Sequence, residues 1–131
     1  MTGARTVGEV MTANPISVVE TASLAEAAGI LDAKKISGLP VLDESGALVG
    51  VLSQTDLVRA RANQTLVSNW RGLAVGRIMT RPALTIASTA TLEEAAAVME
   101  RHRVHRLVVV DAATTPIGII STSDLVRSWL A

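Results

Sequence analysis

Apolar positions along this chain switch between a period of two and a period near 3.6, and the same order of switches comes round twice. A short apolar turn, Val7-Gly8-Glu9-Val10-Met11, leads into a proline-flanked stretch in which Ile16 and Val18 share one face, as in a strand. Leu84 and Ile86 do the same further on. Leu24, Ala27, Ala28 and Leu31 then fall at i, i+3, i+4 and i+7, and Leu92, Ala95, Ala96 and Met99 repeat that spacing. Each set predicts a helix with one buried stripe. Ser23 with Glu26, and Thr91 with Glu94, read as capping boxes at the helix starts. Two apolar runs follow, Leu39–Leu42 and Leu48–Leu52, around the turn residues Asp43-Glu44-Ser45-Gly46. Their later counterparts are Leu107–Val110 and Ile117–Ile120. A last helix begins near Ser53 and near Ser121. The predicted order is β-α-β-β-α, twice.

Sliding the chain on itself by 68 positions makes the repeat explicit. Residues 7–59 align with 75–127 without a gap, and 19 of the 53 positions are identical. Chance at this composition gives about four. The sequence thus divides into one copy at 7–59, a connector at 60–74, and a second copy at 75–127. A unit of this size cannot bury its sheet alone, so the expected fold is α/β (α+β), with the two copies packed sheet to sheet about a pseudo-two-fold axis.

Composition narrows the function classes. The 131 residues (13.7 kDa) are 49% apolar, which excludes a disordered chain. Twelve Lys and Arg balance twelve Asp and Glu, so the general charge excess of a nucleic-acid binder is missing. Trp70 and Trp129 are the only aromatic residues, too few for a base-stacking platform. The absence of cysteine excludes thiol chemistry and cysteine-ligated zinc. No apolar run approaches the roughly 20 residues of a membrane span. Residues Met1 to Thr6 lack the apolar core of a signal peptide. A cytoplasmic protein is expected. No Gly-x-Ser-x-Gly elbow occurs, both Ser-x-x-Asp pairs open helices, and two histidines three apart make a poor metal site. The chain reads as no enzyme, with no metal and no required cofactor.

Several motifs recur in both copies. The first carries Met11-Thr12-Ala13-Asn14-Pro15, Ser37-Gly38-Leu39-Pro40-Val41 and Gly50-Val51-Leu52-Ser53-Gln54-Thr55-Asp56-Leu57. The second carries Met79-Thr80-Arg81-Pro82, Val104-His105-Arg106-Leu107-Val108-Val109-Val110-Asp111 and Gly118-Ile119-Ile120-Ser121-Thr122-Ser123-Asp124-Leu125. In this order, twice, they resemble the cystathionine β-synthase (CBS) domain, and the tandem pair resembles a Bateman module. The resemblance implies a regulatory module that binds an adenosine compound in clefts between its copies. AMP, ADP or ATP is the expected ligand, with S-adenosylmethionine behind them.

The resemblance also assigns residues. It gives Asp56 and Asp124 to ribose hydroxyls, and Ser53 and Ser121 to ribose or phosphate. From chemistry alone, each Ser-x-x-Asp is a helix N-cap with an acid in the first turn. The two roles are compatible. The strand starts Ile36, Ser37 and Gly38, and Val104, His105 and Arg106, are assigned to the adenine edge, with His105 and Arg106 turned to phosphate. In the family pattern a cleft crosses the copies. One would combine Ser17, Val18, Ile36, Ser37 and Gly38 with Ser121 and Asp124. The other would combine Thr85, Ile86, Val104, His105 and Arg106 with Ser53 and Asp56. Val108 stands where the first copy has Pro40, but VHRLVVVD resembles one copy of the γ subunit of AMP-activated protein kinase. Arg101 and His102, like Lys34 in the first copy, read as cations at a helix C-terminus.

Apolar positions on the outer helix faces, with Ala25, Gly29 and Ala97 among them, predict a homodimer, four CBS units in a disc. The regulated protein is unknown, and neither membrane nor nucleic acid is an expected partner. The alternative function is a structural or interaction module that dimerises or docks without a nucleotide.

Overall fold

The computed structural model describes residues 5–63 and 70–131, so part of the 60–74 connector lies outside the described residues. The elements run α1 (Val7–Val10), β1 (Thr12–Ala13), β2 (Val18–Val19), α2 (Leu24–Lys34), β3 (Gly38–Leu42), β4 (Leu48–Ser53) and α3 (Gln54–Ala62). Two short 3-10 turns, Trp70–Gly72 and Val75–Arg77, follow. The second copy continues with β5 (Thr85–Ala87), α4 (Leu92–His102), β6 (Arg106–Val110), β7 (Pro116–Ser121) and α5 (Thr122–Leu130). The α/β class and the twofold order of elements are those that the hydrophobic pattern predicts. Helix α3 takes residues 60–62 of the expected connector.

The chain forms two compact units, and their boundaries cross the sequence copies. One unit is Ile16–Ala83; the other joins the residues up to Pro15 to Leu84–Ala131. In each unit, the segment ahead of one copy's first strand lies on the hairpin of the other copy.

In the unit Ile16–Ala83 the sheet order is β2-β3-β4, with β2 parallel to β3 and β3 antiparallel to β4. The parallel pair is joined through α2, the crossover a parallel connection requires. Leu24, Ala27 and Leu31 bury the predicted stripe of α2 against Leu39, Val41 and Leu52. Trp70 and Leu73 pack on the same core. Ser23 accepts from the Glu26 amide, which is half of the expected capping box. Ile16 is more exposed than the strand alternation predicts, because regular pairing begins only at Val18. The 43–46 hairpin closes through Asp43, whose carboxylate accepts from the Ser45 hydroxyl and the Ser45 and Ala47 amides. These bonds, that from the Ser45 side chain first, hold the Asp43 pKa below the usual carboxylate range.

The incoming segment in this unit is Val75–Ala83. Thr80 exchanges both backbone hydrogen bonds with Val51, at 2.9 and 3.0 Å. Met79 is buried in the core beneath them. A Cβ on Gly50 would lie 2.7 Å from Met79 Sδ and 2.8 Å from the Thr80 carbonyl oxygen. Glycine at 50 is therefore a condition of the close approach. That explains why Met-Thr and the distant glycine recur together in the sequence.

The other unit repeats the scheme with a longer contact. Its sheet order is β1-β7-β6-β5, in which Thr12 and Ala13 pair antiparallel with Ile119 and Gly118. A Cβ on Gly118 would collide with Met11 Sδ and with the Thr12 carbonyl oxygen. Val7 is fully buried among Leu92, Ala95, Met99, Leu107, Ile120 and Leu125. Here the capping box of α4 is complete: Glu94 accepts from the Thr91 amide and Thr91 accepts from the Glu94 amide. The Thr91 amide, first among the causes, lowers the Glu94 pKa. Glu9 does the same for Thr6 at the start of α1, with the same consequence.

Candidate functional site

The repeated Ser-x-x-Asp motifs sit where β4 runs into α3 and where β7 runs into α5. Ser53 and Ser121 are the N-caps, both with extended backbone, and each side chain accepts from the amide three residues on. Asp56 Oδ2 accepts from the Ser53 amide at 2.9 Å, and Asp124 Oδ2 accepts from the Ser121 amide at 2.9 Å. Both pairs are reciprocal capping boxes with aspartate at the third helical position. Their carboxylates are nearly enclosed, with Asp56 3% and Asp124 9% exposed. Two buried acids at two helix starts complement the positive ends of those helices.

The remaining carboxylate oxygens also have donors. Asp56 Oδ1 accepts from Thr80 Oγ1 at 3.0 Å and from Arg59 Nη1 at 3.3 Å. Asp124 Oδ1 accepts from Arg127 Nη1 at 3.1 Å, while its Oδ2 takes the Ser121 hydroxyl as well. The arginines were legible in the sequence as Asp-x-x-Arg in both copies, an i, i+3 pair on one helix face. Thr80 was not, because its partner lies 24 residues away and is reached only through the fold.

Each helix start is tied to the strand start of its own copy. The Gln54 amide donates to the Ser37 carbonyl at 2.9 Å, and the Thr122 amide donates to the His105 carbonyl at 2.9 Å. Gly38 pairs with Ser53 across β3 and β4, and Arg106 pairs with Ser121 across β6 and β7. Within one unit, then, Ile36, Ser37 and Gly38 adjoin Ser53 and Asp56. Within the other, Val104, His105 and Arg106 adjoin Ser121 and Asp124. These neighbours within each unit are set by the register of its hairpin.

Among the other candidates, Ser17 and Thr85 are exposed at the starts of the first strands. Val18 and Ile86 turn inward and are core residues of their units. Their side chains are therefore committed to packing, and what they offer outside is backbone. Ser37 and His105 are exposed, Ile36, Val104 and Arg106 half-buried, and Gly38 buried. The unit with Leu84–Ala131 also carries a groove of about 530 Å³ between α4 and α5, lined by Met99, Val104, His105, Thr122, Leu125 and Trp129. Sequence reasoning had not brought Trp129 to the same place as His105. Among the described residues no group of three or more His, Asp or Glu is placed to hold a metal ion. No helix among them is long and apolar enough to cross a membrane.

Comparison with known proteins places this geometry. The crystal structure of CBSX2 in complex with AMP superposes with a TM-score of 0.81 at 38% identity, over 96% of this chain and 96% of that one. The full CBSX2 of Arabidopsis thaliana, a chloroplastic CBS domain-containing protein, is 33% identical, and this chain covers 65% of it. The CBS domain pair of MJ0100, solved with 5′-methylthioadenosine and S-adenosyl-L-methionine, superposes with a TM-score of 0.87 at 28% identity, over 97% of each chain. Inosine-5′-monophosphate dehydrogenase of Nitrosopumilus maritimus is 31% identical over 121 residues. This chain spans only 24% of that enzyme. The family model of the CBS domain matches residues 7–63 and again 75–131. The protein belongs to the CBS domain family and carries two copies of the domain in tandem.

Proposed function

We propose that this chain is a regulatory module that binds an adenosine nucleotide of the AMP, ADP or ATP type and catalyses no reaction. The observation that carries the reading is the pair of Ser-x-x-Asp helix starts, each beside a strand start with exposed polar groups, in a chain similar end to end to an AMP-bound relative. Adenine is assigned to Ser17, Val18, Ile36, Ser37 and Gly38 in one set, and to Thr85, Ile86 and Val104 in the other. Ser53, Asp56, Ser121 and Asp124 receive ribose. A guanidinium forms paired hydrogen bonds to phosphate that serine or glycine cannot supply. His105 and Arg106 therefore recognise the phosphate chain. Scarcity of aromatics fits a ring held between aliphatic side chains and backbone.

The module works in the cytoplasm as a homodimer and acts on a further protein. Exposed apolar residues on α5, with Val126 and Trp129 foremost, are the surface proposed for the second copy. A second reading, an interaction module without nucleotide, is favoured by one observation: both aspartates already serve their own helices. A thermal-shift screen against AMP, ADP, ATP, adenosine and S-adenosylmethionine separates the two. A ligand at 100 times its dissociation constant adds about 2.7 kcal/mol of stability. No shift with any adenosine compound refutes nucleotide binding and leaves the interaction reading.

A further inference from the structure

The two Ser-x-x-Asp helix starts share sequence, capping geometry and an arginine partner, and they differ at one donor. At Asp56 the extra donor is the Thr80 hydroxyl, delivered to Oδ1 by the first segment of the second copy. At Asp124 it is the hydroxyl of the capping residue itself, Ser121, delivered to Oδ2.

We infer that Thr80 is a latch on Asp56: its hydroxyl fills the carboxylate oxygen that an incoming diol needs, so Asp56 accepts a diol only when Thr80 lets go. The inference rests on the adenosine reading above and sets the order in which its two acceptors are used. An ionised carboxylate offers about two acceptor positions on each oxygen. Asp56 Oδ1 already has two donors, Thr80 and Arg59, and Oδ2 has the Ser53 amide. Asp124 has the opposite distribution. Among the described residues its Oδ1 has one donor, Arg127, and Oδ2 holds both donors from Ser121. With respect to the described residues, Oδ1 of Asp124 therefore keeps a position open without any rearrangement.

Release also differs in kind. The Ser121 hydroxyl can rotate without disturbing the backbone amide that caps the helix. Thr80 is held at both of its backbone groups by Val51, and its neighbour Met79 is wedged against Gly50. A threonine on a fixed backbone has few rotamers to move into. Asp124 is thus the ready acceptor and Asp56 the latched one. Occupying Asp56 frees the Thr80 hydroxyl on the Val75–Ala83 segment of the second copy.

Titration calorimetry with adenosine, which carries no phosphate charge, tests this on the full chain. Wild type should show two unequal steps. Thr80→Val, which keeps the shape and loses the hydroxyl, should strengthen the weaker step about fivefold, the worth of one hydrogen bond. The tighter step should stay where it is. Thr80→Ser should behave as wild type. Asp124→Asn, which keeps a capping oxygen, should leave one step, and adding Thr80→Val should strengthen that step by the same factor. A merely structural Thr80 would lower stability and weaken binding when altered; only a competitor strengthens binding when removed. Unchanged or weaker binding in Thr80→Val, or a gain equal in Thr80→Ser, overturns the latch while leaving nucleotide binding in place. Failure of wild type to take up adenosine at all overturns the adenosine reading and the latch with it.

Discussion

Removing the Asp56 side chain should destabilise the protein whether or not any ligand is present. In Asp56→Ala the Ser53 amide loses its 2.9 Å acceptor at a helix start where Ser53 is itself buried. A buried backbone N–H left without a partner costs about 1–3 kcal/mol. Loss of a negative charge in the first turn of α3 adds about 0.3–1 kcal/mol. The Thr80 hydroxyl loses its bond to Asp56 Oδ1, worth about 1 kcal/mol net. The Arg59 side chain is 71% exposed, and exposed ion pairs are worth close to nothing. The sum is about 2–5 kcal/mol. For a chain of this length that corresponds to a fall in Tm of roughly 10 °C. Urea and thermal unfolding by circular dichroism, without nucleotide, measure it directly. A Tm within 2 °C of wild type would refute the reasoning and return Asp56 to a purely ligand-facing role.

Four other outcomes follow from the same packing and charges. Gly50→Ala should cost about 1–3 kcal/mol, because its Cβ meets the Thr80 backbone oxygen, which cannot swing aside. Gly29→Ala, in the exposed middle of α2 with nothing within 4 Å of the new Cβ, should gain about 0.5–1 kcal/mol; chemical denaturation of both variants checks the contrast in sign. Glu9, Asp43 and Glu94 have folded-state pKa values below their unfolded ones, so the stability they confer is complete above the usual carboxylate range and is lost as pH falls through it. An acid titration of Asp43→Asn should accordingly show a shallower loss of stability below about pH 4 than wild type. Finally, Trp129→Asp should convert a homodimer to a monomer in light scattering at micromolar concentration; a wild type that is itself monomeric refutes the dimer, and a variant that stays dimeric moves the interface elsewhere.

Much of this protein was legible before its structure. The duplication at 68 residues, the stripes Leu24 to Leu31 and Leu92 to Met99, the hairpin at Asp43, and the helix starts at Ser53 and Ser121 are all local signals. A stripe or a cap is written within a few residues, where helix and strand periods and side-chain-to-backbone bonds act. The candidate acids Asp56 and Asp124 were found for the same reason. Pairings between distant segments were decided by the tertiary structure alone. Nothing in the run Met79-Thr80 states that it will lie on Gly50 and Val51, or that Met11 and Thr12 will lie on Gly118, so the compact units cut across the sequence copies. The same long-range pairing brings Thr80 to Asp56, and the hairpin register seats Arg106 opposite Ser121. A motif can name the residue that carries a charge. Which donors share that charge depends on segments that meet only when the backbone is folded.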